Sequence, residues 1–133
     1  MKTKNWLFLS SIIFLSSFLV LSGCKKESTH KNSTSSSTTT VTNITKTTAQ
    51  AAAEVFDTSI IMSAHGMVWS TSPNPDFFEL PDSNKTWHGT TVYEWNDTLT
   101  GLKPCTTYYV RSFYCIGSDS TFYGIEVSFK TPC

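Results

Sequence analysis

Between positions 41 and 131 the chain repeatedly alternates apolar and polar residues with a period of two. Short runs of this kind suit extended strands, because successive side chains of a strand point to opposite faces. Residues 41–47, 49–56, 60–70, 90–99, 106–116 and 121–131 are read as strands, with a short extra one near 77–80. Turn residues separate them at Ser72-Pro73-Asn74-Pro75, at Gly101 and at Gly117-Ser118-Asp119-Ser120. Six or seven short strands without a long helix predict an all-β, antiparallel sandwich. The run Ala49-Gln50-Ala51-Ala52-Ala53-Glu54 favours helix by propensity. It is assigned to a strand because Ala49, Ala51, Ala53 and Val55 can line one face, leaving room opposite for Trp69 or Trp95.

The residues before this domain are of two other kinds. Lys2 and Lys4 precede an apolar run from Trp6 to Leu21, followed by Leu21-Ser22-Gly23-Cys24. A basic start, a short apolar stretch and small residues at its end make a secretory signal over residues 1–23. The run falls short of the ~20 apolar residues that a spanning helix needs. Residues 24–40 are then rich in Ser, Thr, Lys and Asn, with His30 as a solvated exception. Such a segment buries too little apolar surface to offset its ordering entropy, so it is expected to be a flexible tether. The domain is placed at 41–133, about 90 residues, which is enough for one domain only.

Cys24, directly after the small residues, resembles the lipobox of bacterial lipoproteins. The resemblance implies acylation of Cys24 and cleavage before it. It thus places the domain in the cell envelope, held to a membrane (the outer membrane is the expected one) by acyl chains. Lys25 stands where an inner-membrane retention signal would have Asp, and Lys25-Lys26-Glu27 resembles the surface-export signals of Bacteroidota lipoproteins.

Charge narrows the partners. From Lys46 onward there are five basic residues against nine acidic ones. A mildly acidic domain does not suit nucleic acid, whose phosphates require a basic face.

Leu102, Pro104 and Tyr108 take the spacing of a tyrosine corner, in which a phenol donates its hydroxyl to backbone a few residues upstream, pinning the crossover between sheets. Together with the stretch from Gly66 to Pro75 and the run from Tyr123 to Phe129, this resembles the fibronectin type III-like domains of Bacteroidota envelope proteins. The implied fold is an immunoglobulin-like sandwich. By alternation, Tyr108, Val110, Ser112 and Tyr114 face inward with Trp95, Leu99, Val127 and Phe129, while Tyr109, Arg111 and Phe113 face outward.

Cys105, Cys115 and Cys133 leave an odd count in an oxidising compartment. If Ser118–Ser120 is the tip of the last hairpin, opposite residue numbers add to about 238, which pairs Cys105 with Cys133. A disulfide there is expected, with Cys115 unpaired or bonded between molecules; three independent thiols are the competing arrangement. The resembled family has glycine or a polar residue at the position of Cys105.

Catalytic and metal signatures are not found. His65 and His88 lie in no recognisable catalytic or metal spacing and are read as surface or edge residues, and no cofactor is expected. The loop from Pro73 to Gly89 carries Phe77, Phe78 and Trp87, either as an aromatic binding platform or as a cap on the sandwich. Asp97-Thr98-Leu99 and Asp119-Ser120-Thr121 match a Bacteroidota O-glycosylation pattern, making Thr98 and Ser120 the candidate acceptors. The leading expectation is a non-enzymatic lipoprotein for protein interaction or adhesion. An accessory carbohydrate-binding role in glycan uptake is the alternative, and a structural spacer the third.

Overall fold

The computed structural model describes residues 37–118 and 120–133. The signal segment, Cys24 and the tether up to residue 36 lie outside the described residues, as does Asp119. Seven strands follow in order: β1 Ser37–Thr42, β2 Ala49–Val55, β3 Ala64–Ser70, β4 Glu94–Leu99, β5 Thr107–Ile116, β6 Ser120–Tyr123 and β7 Val127–Lys130. One antiparallel sheet has the order β1-β2-β4. In the other, β5 is central, with β3 on one side and β6 then β7 sharing the other. The all-β sandwich expected from the alternation is the observed fold.

The interior between the sheets explains the alanine run. Ala49, Ala51 and Ala53 line the inner face of β2 and pack with Met67, Trp69, Leu99, Tyr108, Val110 and Phe129, with Trp95 against the same cluster. Three small side chains on one sheet leave the depth that the indoles fill. Packing complementarity overrides helix propensity here, a difference of only a few tenths of a kcal/mol per residue.

Several boundaries move. Residues 37–40, read as tether, are the first four residues of β1, and the strand expected at 41–47 ends at Thr42. The cause lies in the last strand, expected as one run over 121–131 but broken between β6 and β7. At the break Ser112 on β5 faces the interior, 0% exposed. Its amide donates to Thr39 Oγ1 (3.0 Å), whose hydroxyl also reaches Ser112 Oγ (3.1 Å), and Ser37 Oγ lies 3.0 Å from the same hydroxyl. Gly124 supplies the remaining ladder bond, its amide donating to Ser112 O at 2.9 Å. A Cβ on Gly124 would sit 2.1 Å from Ser112 Oγ and 2.5 Å from Ser37 Oγ, so only glycine lets β1 close over the gap. The hydroxyls that made residues 37–40 look like tether are what a buried amide requires at a break in the ladder.

A second correction concerns sheet faces. Phe113 (0% exposed) and Arg111 (8%), expected to face outward, are buried. Alternation does turn them away from the inter-sheet core, but the long loop after β3 covers that outer face. Phe77 packs 4.6 Å from the Phe113 ring, and Leu80 and Tyr123 join Ala64, Val68 and Cys115 in the same cluster. The Arg111 guanidinium lies 3.8 Å over the Tyr123 ring and donates from Nε to Pro75 O at 2.6 Å. Residues 77–80 form a turn rather than the extra strand. The Phe78 amide is capped by Asp76 Oδ1 at 2.8 Å, a bond that competes with extended pairing. The extra pairing occurs later, through bridges of Lys85 with Val68 and of His88 with His65 on the free edge of β3.

The tyrosine corner is present, with Tyr108 and Leu102 buried and Pro104 exposed. The Lys103 amide donates to Tyr108 Oη at 2.9 Å, so here the phenol is the acceptor.

Candidate binding surface

Each residue singled out from the sequence now has a place. A disulfide joins Cys105 to Cys133, with Cα atoms 4.4 Å apart. The register behind that expectation is not uniform. Ile116 pairs with Ser120 but Thr107 with Lys130, so the sum of paired numbers grows by one across the break at Gly124. It reaches 238 at the two cysteines, beyond the strand end. Cys105 has a φ of 55°, the left-handed region in which glycine is easiest, and this agrees with the residue types the resembled family uses there. Of the two arrangements expected for Cys115, the unpaired one is not met. Cys115 is buried and is no free thiol, with its Sγ 3.5 Å from Thr121 Oγ1 on β6.

Of the loop aromatics, Phe77 is spent on packing, with Lys85 Nζ 4.5 Å from its centroid and Phe78 edge-on at 5.3 Å. Trp87 keeps 48% of its surface exposed. Phe77 seals the outer face of β3 and β5, Phe78 beside it is half-buried, and Trp87 is the most exposed of the three. Thr98 is exposed on β4, but Asp97 beside it is buried; Ser120 opens β6 next to the hairpin tip.

Of the two histidines read as surface or edge residues, His88 is exposed as expected and His65 is not. His65 is 2% exposed, because β3 is paired on both edges and this side chain points inward. Its ring stacks 5.2 Å from His88 and lies 4.8 Å from Trp95. His88 Nε2 is 2.8 Å from Asp97 Oδ1, and Thr86 donates its hydroxyl to the other oxygen of the same carboxylate. A base beside a carboxylate makes no catalytic relay here, since the hydroxyl binds the acid rather than the imidazole. The three side chains clamp residues 85–88 of one sheet to β4 of the other. Burial, followed by the neighbouring His88, holds His65 below its ordinary pKa, while the Thr90 backbone and Asp97 pull it partly back. Among the described residues no group of three or more His, Cys, Asp and Glu could hold a metal ion.

What remains open is the outer face of the β1-β2-β4 sheet. Thr40, Ala52 and Asn96 form one row across it, and Glu54 lies directly opposite Glu94 in the next. An open depression of about 550 Å³ is lined by Thr40, Ala52, Ala53, Glu54, Glu94, Trp95 and Asn96. It exists because Ala52 is small between longer neighbours. Directly opposed like charges destabilise a sheet, and carboxylates at this spacing (Cβ atoms ~4.5–5.5 Å apart) can jointly accept hydrogen bonds from one guanidinium or ammonium. The sequence showed both glutamates but not their register, which depends on which strands pair.

No family model and no curated protein matches the chain. Solved structures do. A chain solved as a myokine structure aligns with a TM-score of 0.54 at 18% identity, covering 74% of this chain and 98% of that one. The sensor domain of the anti-sigma factor RsgI4 of Pseudobacteroides cellulosolvens aligns at 0.52 and 18% identity, covering 77% of this chain and 98% of that one. The chicken CNTN1 FN1-FN3 domains align at 0.50 and 12% identity, covering 71% of this chain and 31% of that one. Identities this low speak to the fold alone: the described domain is an antiparallel, fibronectin type III-like β-sandwich.

Proposed function

We propose that this chain is a lipid-anchored protein of the cell envelope whose sandwich is a non-catalytic module for recognising a protein partner. The observation that carries the recognition half is the depression beside Glu54 and Glu94. The two carboxylates repel each other across the strands, a cost with no return inside the fold, and a basic group on a partner removes it. The similarity of the fold to a sensor domain of an anti-sigma factor agrees with a module that binds rather than reacts. The anchoring half rests on the signal segment and Cys24.

Two measurements test these halves separately. A photocrosslinking residue at Asn96, activated on intact cells, is expected to capture a protein, and the capture is expected to fall at least tenfold in Glu54→Gln/Glu94→Gln. Equal capture by that variant removes the depression as the site, and a response on a glycan array in its place favours the carbohydrate-binding alternative. For the anchor, mass spectrometry of the mature amino-terminal peptide is expected to find acyl chains on Cys24. A sulfur in a thioether cannot enter a disulfide, so a peptide in which Cys24 is bonded to Cys115 overturns the anchor.

A further inference from the structure

Three connections meet at one end of the sandwich: residues 56–63 between β2 and β3, residues 89–93 before β4, and residues 117–118 after β5. They are tied together below the surface. Ser63 donates from its amide to Cys115 O (2.9 Å) and from its hydroxyl to Gly117 O (2.5 Å). The Thr91 hydroxyl donates to Met62 O (2.9 Å) and the Tyr93 phenol to Ile60 O (3.0 Å). Val55, Met62 and Tyr114 form the core beneath, with Ile60, Tyr93 and Phe122 packed on it. This base supports apolar side chains that it does not cover. Phe56 is 60% exposed, Ile61 78% and Ile116 38%.

The same end receives the chain. Ser37, the first residue of β1, pairs with Val55, so the domain is entered beside Phe56. Twelve residues separate Cys24 from Ser37. Thirteen Cα-to-Cα steps reach at most about 45 Å. The ten residues of β5 alone are about 33 Å long. With Cys24 held in a bilayer, the near end of the domain therefore stays within about 45 Å of the lipid surface, not much more than the length of that strand.

We propose that this end docks on the bilayer, with Phe56, Ile61 and Ile116 entering the boundary between headgroups and acyl chains. This rests on the anchoring read from Cys24 and does not involve the depression beside Glu54. Apolar side chains at that boundary add to the hold of the acyl chains. Asp57 lies exposed beside Phe56 at the same end and opposes anionic headgroups, so the surface suited to it is zwitterionic.

The test uses the full lipidated chain in phosphatidylcholine nanodiscs, with isoleucine methyl groups labelled and a fraction of the lipids carrying a nitroxide on the headgroup. Ile44, 36% exposed in the turn after β1 at the opposite end, is the internal control. The Ile61 and Ile116 signals are expected to lose intensity at least fivefold more than the Ile44 signal. In Phe56→Ser/Ile61→Ser, whose fold is checked by its unchanged core methyl shifts, the remaining Ile116 signal is expected to approach that of Ile44. Equal loss at Ile44, Ile61 and Ile116 in the parent chain, with the protein retained in the discs, overturns the docking alone. Release of the protein from the discs overturns the anchoring and the docking with it.

Discussion

At the scale of single residues, the tightest constraint is Gly66. A Cβ there would lie 2.2 Å from Thr86 O and 2.9 Å from the Phe113 ring, so any side chain pushes residues 85–88 off β3. Gly66→Ala is expected to cost about 1–3 kcal/mol in urea unfolding, the range of an overpacked core. His65 gives a pH signature whose sign follows from its lowered pKa. The unfolded chain binds a proton on this residue near its ordinary pKa of 6.5, whereas the folded one binds it only at lower pH. The residue thus leaves stability unchanged well above that value and reduces it as pH falls through it. Urea midpoints between about pH 7.5 and about 5 are expected to decline, and to decline less in His65→Gln. An identical decline in both chains refutes the assignment. The sequence placed both residues side by side on a strand, but neither pattern nor propensity could tell that this strand is paired on both edges.

At the scale of elements, the seam between β1 and β5 matters most. Thr39 accepts from the Ser112 amide and donates to its hydroxyl. Thr39→Val keeps shape and volume while removing both bonds, and is expected to cost about 2 kcal/mol. Thr40→Val, at the next position and exposed on the opposite face of β1, serves as the control and is expected to change stability by less than about 0.5 kcal/mol. The other element-scale device is the Cys105–Cys133 bridge, which ties the end of β7 to the entry of β5 across 28 residues. Its removal in Cys105→Ser/Cys133→Ser is expected to cost about 3–4 kcal/mol on the chain-entropy estimate. Strand existence, the alanine strand and the cysteine pairing were all legible in the one-dimensional pattern. The start of β1 was not, since a run of Ser and Thr has the same composition whether it solvates a tether or satisfies a buried amide.

At the scale of the whole molecule, the two sheets are unequally used. One is covered on both faces, by the other sheet and by the loop carrying Phe77; the other leaves its outer face open beside Glu54 and Glu94. Because those charges are exposed and opposed, Glu54→Gln/Glu94→Gln is expected to stabilise the fold slightly, by about half a kcal/mol, while it loses partner capture. Stability gained and binding lost together separate a recognition role from a structural one. A loss of both indicates that the glutamates merely support the fold.

The sequence by itself determined the sandwich, because period-two alternation admits few other ways to hide its apolar half, and it determined the Tyr108 corner because the spacing is local. It also held the pairing of Cys105 with Cys133, through hairpin register. Only the tertiary structure decided which face of each sheet meets water, that Phe113 and Arg111 are covered, that His65 sits beneath His88, and that Glu54 faces Glu94. Those facts depend on which strands become neighbours and where a long loop comes to rest. Such contacts join residues far apart in the chain, and alternation along a single strand carries no record of them.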